Sequence, residues 1–260
     1  MRPFTALIAA VVALAAQACG DASVQWTDPV ELRAPAATST LVVDDSGRAS
    51  LVADTVTASL PAAFGACPSS ARFAAGTTRF YAVWWRVRAD SSIALYTASS
   101  RDHGRTWADS AIVDTTKVDI RGCDRPAPSA TTVGDDLYLA YSMMASEGTG
   151  VFFAHFMSSM LHSPVAVIYG ERLVASAIAT RGDRVAVAYE EPNGSRQQVD
   201  VALSATQGHI FERHEIASRE VDAAASPLVA LSDHYVAVAW RARASSDTSN
   251  VLVVRVGRLP

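Results

Sequence analysis

Four short segments of this 260-residue chain repeat one pattern, an apolar strand that ends in a large aromatic side chain. They are "YAVWW" ending at Trp85, "LYLAY" at Tyr141, "VAVAY" at Tyr189 and "VAVAW" at Trp240. Their spacings, 141−85=56, 189−141=48 and 240−189=51 residues, lie near the length of a four-stranded propeller blade. No long amphipathic helix pattern competes with this strand periodicity.

Each segment is preceded by a shorter strand and a tight turn: "ARFAAGTTR", "SATTVGDD", "SAIATRGDR" and "SPLVALSDH". Gly, Asp and Ser give such turns backbone freedom and local hydrogen bonds, so Arg181-Gly182-Asp183 reads as a hairpin turn and not as an adhesion tripeptide. A third strand follows in every repeat. A fourth follows in three of them, near "WADSAIV", "SPVAVIY" and "FERHEIA", whereas the last repeat reaches Pro260 directly after its third. The stretch "VQWTDPVEL", Val24 to Leu32, resembles those fourth strands and is assigned to the last sheet, where it would close a ring and remove open edges. Between Arg33 and Cys67 a further hairpin, "STLVVDDSGRASLVA", has too few residues around it for a full blade. The expectation is an all-β propeller of about five four-stranded blades, one abbreviated, forming a single domain over residues 19–260.

Charge and cysteines limit the setting. A net charge of −4 with dispersed Lys and Arg provides no basic stripe for a phosphate backbone, so nucleic acid is not an expected partner. Arg2, the apolar run Thr5 to Ala16 and the small-x-small triplet Ala16-Gln17-Ala18 read as an export signal over residues 1–18. Cys19 then follows the cleavage site and resembles the lipobox of bacterial lipoproteins, although Ala16 stands where that family prefers Leu. A lipid on Cys19 would be the chain's membrane contact; plain secretion to the periplasm or beyond is the alternative. With Cys19 set aside, Cys67 and Cys123 remain as one disulfide or as two buried thiols. No CxxC or paired-His spacing suggests a metal, and no cofactor motif is present.

One stretch carries a family resemblance. Ser100 to Trp107, "SRDHGRTW", matches every defined position of the Asp box, S/T-x-D-x-G-x-T-W, and so resembles sialidases and other proteins with bacterial-neuraminidase repeats. Ser100, Asp102, Gly104, Thr106 and Trp107 are expected to build a hairpin between third and fourth strands. The resemblance puts that turn opposite the active face, which makes it a folding device. "SATQGHIF", Ser204 to Phe211, is a degraded copy with Thr206 in place of the Asp.

A second resemblance concerns substrate. "LRAP" has Arg33 and Pro35 where sialidases carry an F/Y-R-I-P motif whose Arg grips a carboxylate, with Leu32 and Ala34 replacing the aromatic and the Ile. Asp54 lies near the place of the family's acid/base, and Tyr189 with Glu190 is the available Tyr/Glu pair, in a context that matches no family motif. Topology gathers Arg33, Asp124 and Arg125 from loops leading into first strands with Arg86, Glu191 and Arg241 near the ends of second strands. Arginines there could take an acidic ligand in bidentate hydrogen bonds. Two readings follow: an exported propeller presenting a glycan- or protein-binding face at the cell envelope without full sialidase catalysis, and an exo-glycosidase of sialidase type acting on acidic glycans.

Overall fold

The computed structural model describes residues 23–34, 39–53, 58–158, 160–194, 197–219, 223–242 and 251–260. The expected signal segment, Cys19, Pro35 and Asp54 lie outside the described residues. Strands β1 (Gln25–Trp26) and β2 (Val30–Arg33) come first, followed by the hairpin β3 (Ser39–Val43) and β4 (Ala49–Ala53). The hairpin turns on Asp44, whose Oδ1 accepts the N–H groups of Ser46 and Arg48, both at 2.9 Å. After a single 3-10 turn at Ala62–Phe64 come β5 (Arg72–Ala75), β6 (Phe80–Val87), β7 (Ile93–Ser100) and β8 (Ala111–Thr116), one antiparallel sheet in chain order.

The next sheet contains β9 (Ser129–Val133), β10 (Asp136–Ala145), β11 (Gly148–Met157), β12 (Met160–Leu161) and β13 (Val165–Gly170), the last two both pairing with β11. β14 (Ser176–Arg181), β15 (Arg184–Glu190), β16 (Val199–Ser204) and β17 (Arg213–Ile216) form a third four-strand meander. The last sheet is β18 (Ala224–Leu231), β19 (Tyr235–Ala242) and β20 (Val251–Arg258). β1 and β2 pair antiparallel with β20, in the registers Gln25 with Arg258 and Val30 with Val254. The two ends of the chain thus share one sheet.

The Val/Ala alternation of the second strands follows from two-sided burial. Val185, Ala186, Val187 and Ala188 of β15, like Val236, Ala237, Val238 and Ala239 of β19, are essentially inaccessible to water. Their Val and Ala faces contribute to different hydrophobic clusters. A strand covered on both faces has no polar side to alternate with. The small face lets the neighbouring sheet approach, and the aromatic that ends the strand is buried in the seam between sheets.

Cluster membership also corrects the sequence register at the double tryptophan. Tyr141, Tyr189 and Trp240 each pack toward the preceding sheet, with Tyr141 against the β5–β8 sheet. Trp85 packs the other way, edge-on to Tyr141 at 5.9 Å. Trp84 holds the equivalent place, stacked between Phe64 at 5.1 Å and Tyr96 at 6.0 Å. The segment carrying the 3-10 turn covers this face, where the two-stranded sheet has no outer strands to offer.

First strands pack against one another in chain order: β5 with β9, β9 with β14, β14 with β18 and β18 with β3. Their turns are stitched across sheets. Asp135 accepts the N–H groups of Thr78 at 2.7 Å and Arg79 at 3.1 Å. Arg181 pairs with Asp233, whose own N–H donates to Asp45 at 3.1 Å. Arg181-Gly182-Asp183 is indeed a β14–β15 turn, with Gly182 at φ +57°.

The turn over Ser100–Trp107 is closed by its own side chains. Asp102 Oδ1 accepts the Thr106 N–H at 2.8 Å, and Ser100 Oγ accepts the Gly104 N–H at 2.8 Å. Asp102 also accepts the hydroxyls of Thr106 and Ser100, both at 2.7 Å, and these bonds, first among them that of the Thr106 hydroxyl and then that of its N–H, hold the half-buried Asp102 carboxyl well below the usual carboxylate range. In the second copy Ser204 Oγ accepts the Gly208 N–H at 3.0 Å and Thr206 Oγ1 replaces the carboxylate, accepting the Ile210 N–H at 3.1 Å. The backbone is the same in both: His103 and Gly104 have φ +59° and +84°, Gln207 and Gly208 +56° and +86°. A Cβ on Gly104 would stand 3.2 Å from Trp107 and 3.3 Å from Ala58 and Phe80. Gly104→Val is expected to cost about 2 kcal/mol or more in urea unfolding, because a β-branched residue is forced to positive φ in a filled site. An unchanged midpoint would show that this turn does not hold the sheet.

Candidate functional site

The five first strands, β3, β5, β9, β14 and β18, together line one cavity of about 700 Å³. Its wall is mostly small and neutral, including Ser39, Thr40, Ser129, Ser176 and Ser226. Among the described lining residues two are charged, Arg72 and Arg241, and none is Asp or Glu. Arg241 leaves the end of β19 exposed, opposite Ala225 of β18. Arg72 opens β5 and is steadied by Nη1 bonds to the carbonyls of Ser69 at 3.0 Å and Ala71 at 2.8 Å. It keeps accessible surface, yet the surrounding wall displaces enough water to lower its pKa from the ordinary arginine value. An arginine shifted this way still carries its charge at neutral pH.

Ser226 is a strained point on the wall. It has φ +54° at a bulge of β18, directly before Pro227, and its N–H donates to Glu190 Oε1 at 2.8 Å. Glu190 therefore ties the end of β15 to the cavity rim. A non-glycine residue in this conformation is held there by its surroundings at a cost of about 1–3 kcal/mol.

Most of the residues expected at the ligand face stand elsewhere. Arg125 is buried, not presented. Its guanidinium and the Asp119 carboxylate form an ion pair with no side-chain exposure, and the guanidinium lies 4.6 Å from the Trp85 ring centre. Asp119 also accepts the Met144 N–H, and Trp85 Nε1 donates to the Pro126 carbonyl at 2.9 Å. Arg125 thus fixes the loop that becomes the cavity wall at Pro126–Ala130. Arg33 is exposed on β2 beside Val251 and is not among the lining residues, although its neighbour Ala34 is. Arg86 lies over the Tyr96 ring at 5.5 Å, and Asp124 is exposed on the loop.

Tyr189 is buried in the seam between the β9–β13 and β14–β17 sheets, its hydroxyl 3.1 Å from His214 Nδ1. Burial first, and then the charges of Asp200 and Glu191, push its phenol above the usual tyrosine range. In this state it is no nucleophile for a ligand in the cavity. Glu191 is half-buried beside Asp200, and its carboxylate accepts the Asn193 N–H at 2.7 Å. Burial pushes Asp200 up to about 6, a bond from the Gln198 amide opposes the rise, and the adjoining Glu191 carboxyl adds to it.

Cys67 and Cys123 are joined by a disulfide with their Cα atoms 5.3 Å apart, linking the loops that lead into β5 and β9. The sequence places ligand contacts on loops and second-strand ends, where Arg72 does not stand. The available signal was its position at the head of a first strand, the strands that face the cavity.

No family model matches the sequence, and no curated protein matches it. Among solved structures, a protein of unknown function from Dyadobacter fermentans is 14% identical, with a TM-score of 0.48 over 70% of this chain and 50% of that one. The sialidase of Trypanosoma rangeli is 12% identical, with a TM-score of 0.47 over 83% of this chain and 39% of that one. An arabinanase of Bacillus subtilis is 10% identical, with a TM-score of 0.43 over 73% and 72% of the two chains. The chain thus spans half or less of the length of the first two.

Two outcomes follow from this geometry. Replacing both Cys67 and Cys123 by Ser opens a loop of 56 residues and should lower stability by about 4 kcal/mol in the chain-entropy model; a loss under about 1 kcal/mol in urea would contradict it. For Asp200 the folded pKa lies above the unfolded value of 3.8. The folded state therefore holds the extra proton, and stability falls as pH rises from about 4 through 6. Asp200→Asn should flatten that slope and gain on the order of 1–2 kcal/mol at pH 8. Parallel melting profiles of the two proteins from pH 4 to 8 would refute the assignment.

Proposed function

We propose that the five sheets are the blades of a sialidase-like propeller, four complete and one reduced to the β3–β4 hairpin. On this reading β1 and β2 close the ring on β20, and the central cavity binds an acidic glycan without hydrolysing it. The observation that carries the reading is the charge of the cavity, where two arginines and several hydroxyls meet no described carboxylate. A guanidinium takes a carboxylate in two parallel hydrogen bonds, while hydroxyl-bearing walls suit the rest of a sugar. Hydrolysis by the usual glycosidase route needs an acid and a second carboxylate or its equivalent beside the scissile bond. Glu190 is engaged with the Ser226 backbone and Tyr189 is sealed in a seam.

We further propose export, with residues 1–18 removed and Cys19 carrying a lipid, which places the cavity at the cell envelope. Support comes from the signal-like N-terminus and from the disulfide, a bond that persists in oxidising compartments.

A glycan array followed by calorimetry with the best acidic binder tests the reading. Arg241→Ala should weaken binding at least tenfold with little loss of stability, since charged hydrogen bonds contribute about 1.5–3 kcal/mol each and the side chain is exposed. Arg241→Lys should recover part of the affinity. Release of fluorophore from a sialoside, or equal affinity for neutral and acidic glycans, would overturn the proposal.

A further inference from the structure

Of the five sheets, only the β3–β4 hairpin presents an unguarded outer edge among the described residues. β8 carries Asp114 and pairs with β7 across a bulge. Pro164 separates β12 from β13, which pairs with β11 across another bulge. β17 carries Arg213 and Glu215, and Pro29 separates β1 from β2. Charges, prolines and bulges of this kind keep an edge strand from pairing with another chain. β4 reads "ASLVA". It has neither charge nor proline, and its register with β3 is unbroken from Ser39 with Ala53 to Val43 with Ala49. Among the described residues no strand pairs with its other side.

The hairpin turn decides which backbone groups face that side. Asp44 donates its N–H to the Arg48 carbonyl at 3.1 Å, so the hydrogen-bonded pairs along the ladder are Val42 with Ser50 and Thr40 with Val52. The N–H and C=O groups of Ala49, Leu51 and Ala53 therefore point away from β3. These residues stand symmetrically about Leu51, and an edge so spaced is complementary to its own copy. Turned antiparallel, Leu51 meets Leu51 of the partner subunit and Ala49 meets Ala53 of the partner subunit, each pair exchanging two backbone hydrogen bonds.

Side chains agree with that register. Ser50 of one copy would stand opposite Val52 of the other, on the face where Val42 is 39% and Val52 44% exposed. No charge meets a like charge at these positions, which would oppose pairing. The other face, with Leu41, Val43, Ala49 and Leu51, is already packed on the last sheet. We propose that two copies of this chain pair through β4 in a two-fold symmetric dimer, their hairpins forming one four-stranded antiparallel sheet with Leu51 on the axis. A contact of this kind uses the same edge on both copies, so the assembly stops at two. Two five-residue edges make a small interface, and the association is weak and reversible.

Sedimentation equilibrium of the whole chain from about 1 μM to about 1 mM, the range of small interfaces, tests this. The expected result is a monomer–dimer equilibrium without higher species. Ser50 and Val52 are exposed, so the edge can be recharged without disturbing the core, and melting curves at low concentration verify that each variant folds. Ser50→Lys combined with Val52→Lys sets like charges opposite each other across the axis and should weaken the dimer at least tenfold. Ser50→Glu combined with Val52→Lys sets opposite charges there and should hold affinity within about threefold of the unsubstituted chain. A chain that stays monomeric throughout the range, a dimer that the lysine pair leaves unchanged, or one that both double variants weaken equally overturns the proposal.

Discussion

Everything in this structure depends on covering both faces of strands that have no polar side. β6, β10, β15 and β19 are apolar at every position of their cores, so each sheet needs a neighbour on its left and on its right. Stacking sheet against sheet meets that need for all but the edge of the series. There the segment around Ala62–Phe64 lays Phe64 on Trp84 in place of missing outer strands. Each seam removes several large side chains from water, at about 1.5–3 kcal/mol for each one fully buried, and the aromatics Trp85, Tyr141, Tyr189 and Trp240 are among the largest of them.

The cavity follows from the same constraint. When sheets pack by their second and third strands, the first strands are left as the inner edges, and small residues there leave room between them. Ala71, Ala127, Ala130, Ala175 and Ala177 line that room together with the serines. Among the described lining residues, the charged side chains that reach past this small-residue wall are Arg72 and Arg241. The loop at Cys123 is held independently by the disulfide and by the Asp119–Arg125 pair packed on Trp85. The wall is therefore fixed before any ligand arrives, which favours binding by reducing what must be ordered.

The strand order was legible in the sequence because each repeat carries its own punctuation, a Gly or Asp turn and an aromatic stop, and two of them add a Ser-x-x-x-Gly turn. What was not legible depended on facing. "WW" at 84 and 85 offers an aromatic to either face, and spacing alone could not say which one matches Tyr141. Arg125 reads from the sequence as a ligand-face arginine because its partner Asp119 is six residues away in a loop without periodicity. Tyr189 carries no mark in sequence that separates a buried seam residue from a catalytic one.

The central claim is that the shared cavity of the five first strands is an anion-binding glycan site. Diffraction from crystals soaked in an acidic monosaccharide such as a sialate or glucuronate tests it most directly. The account predicts a sugar carboxylate within hydrogen-bonding distance of the Arg72 or Arg241 guanidinium, with the ring against the serine-lined wall. A cavity holding only water while the sugar sits elsewhere on the protein, or nowhere, would contradict it.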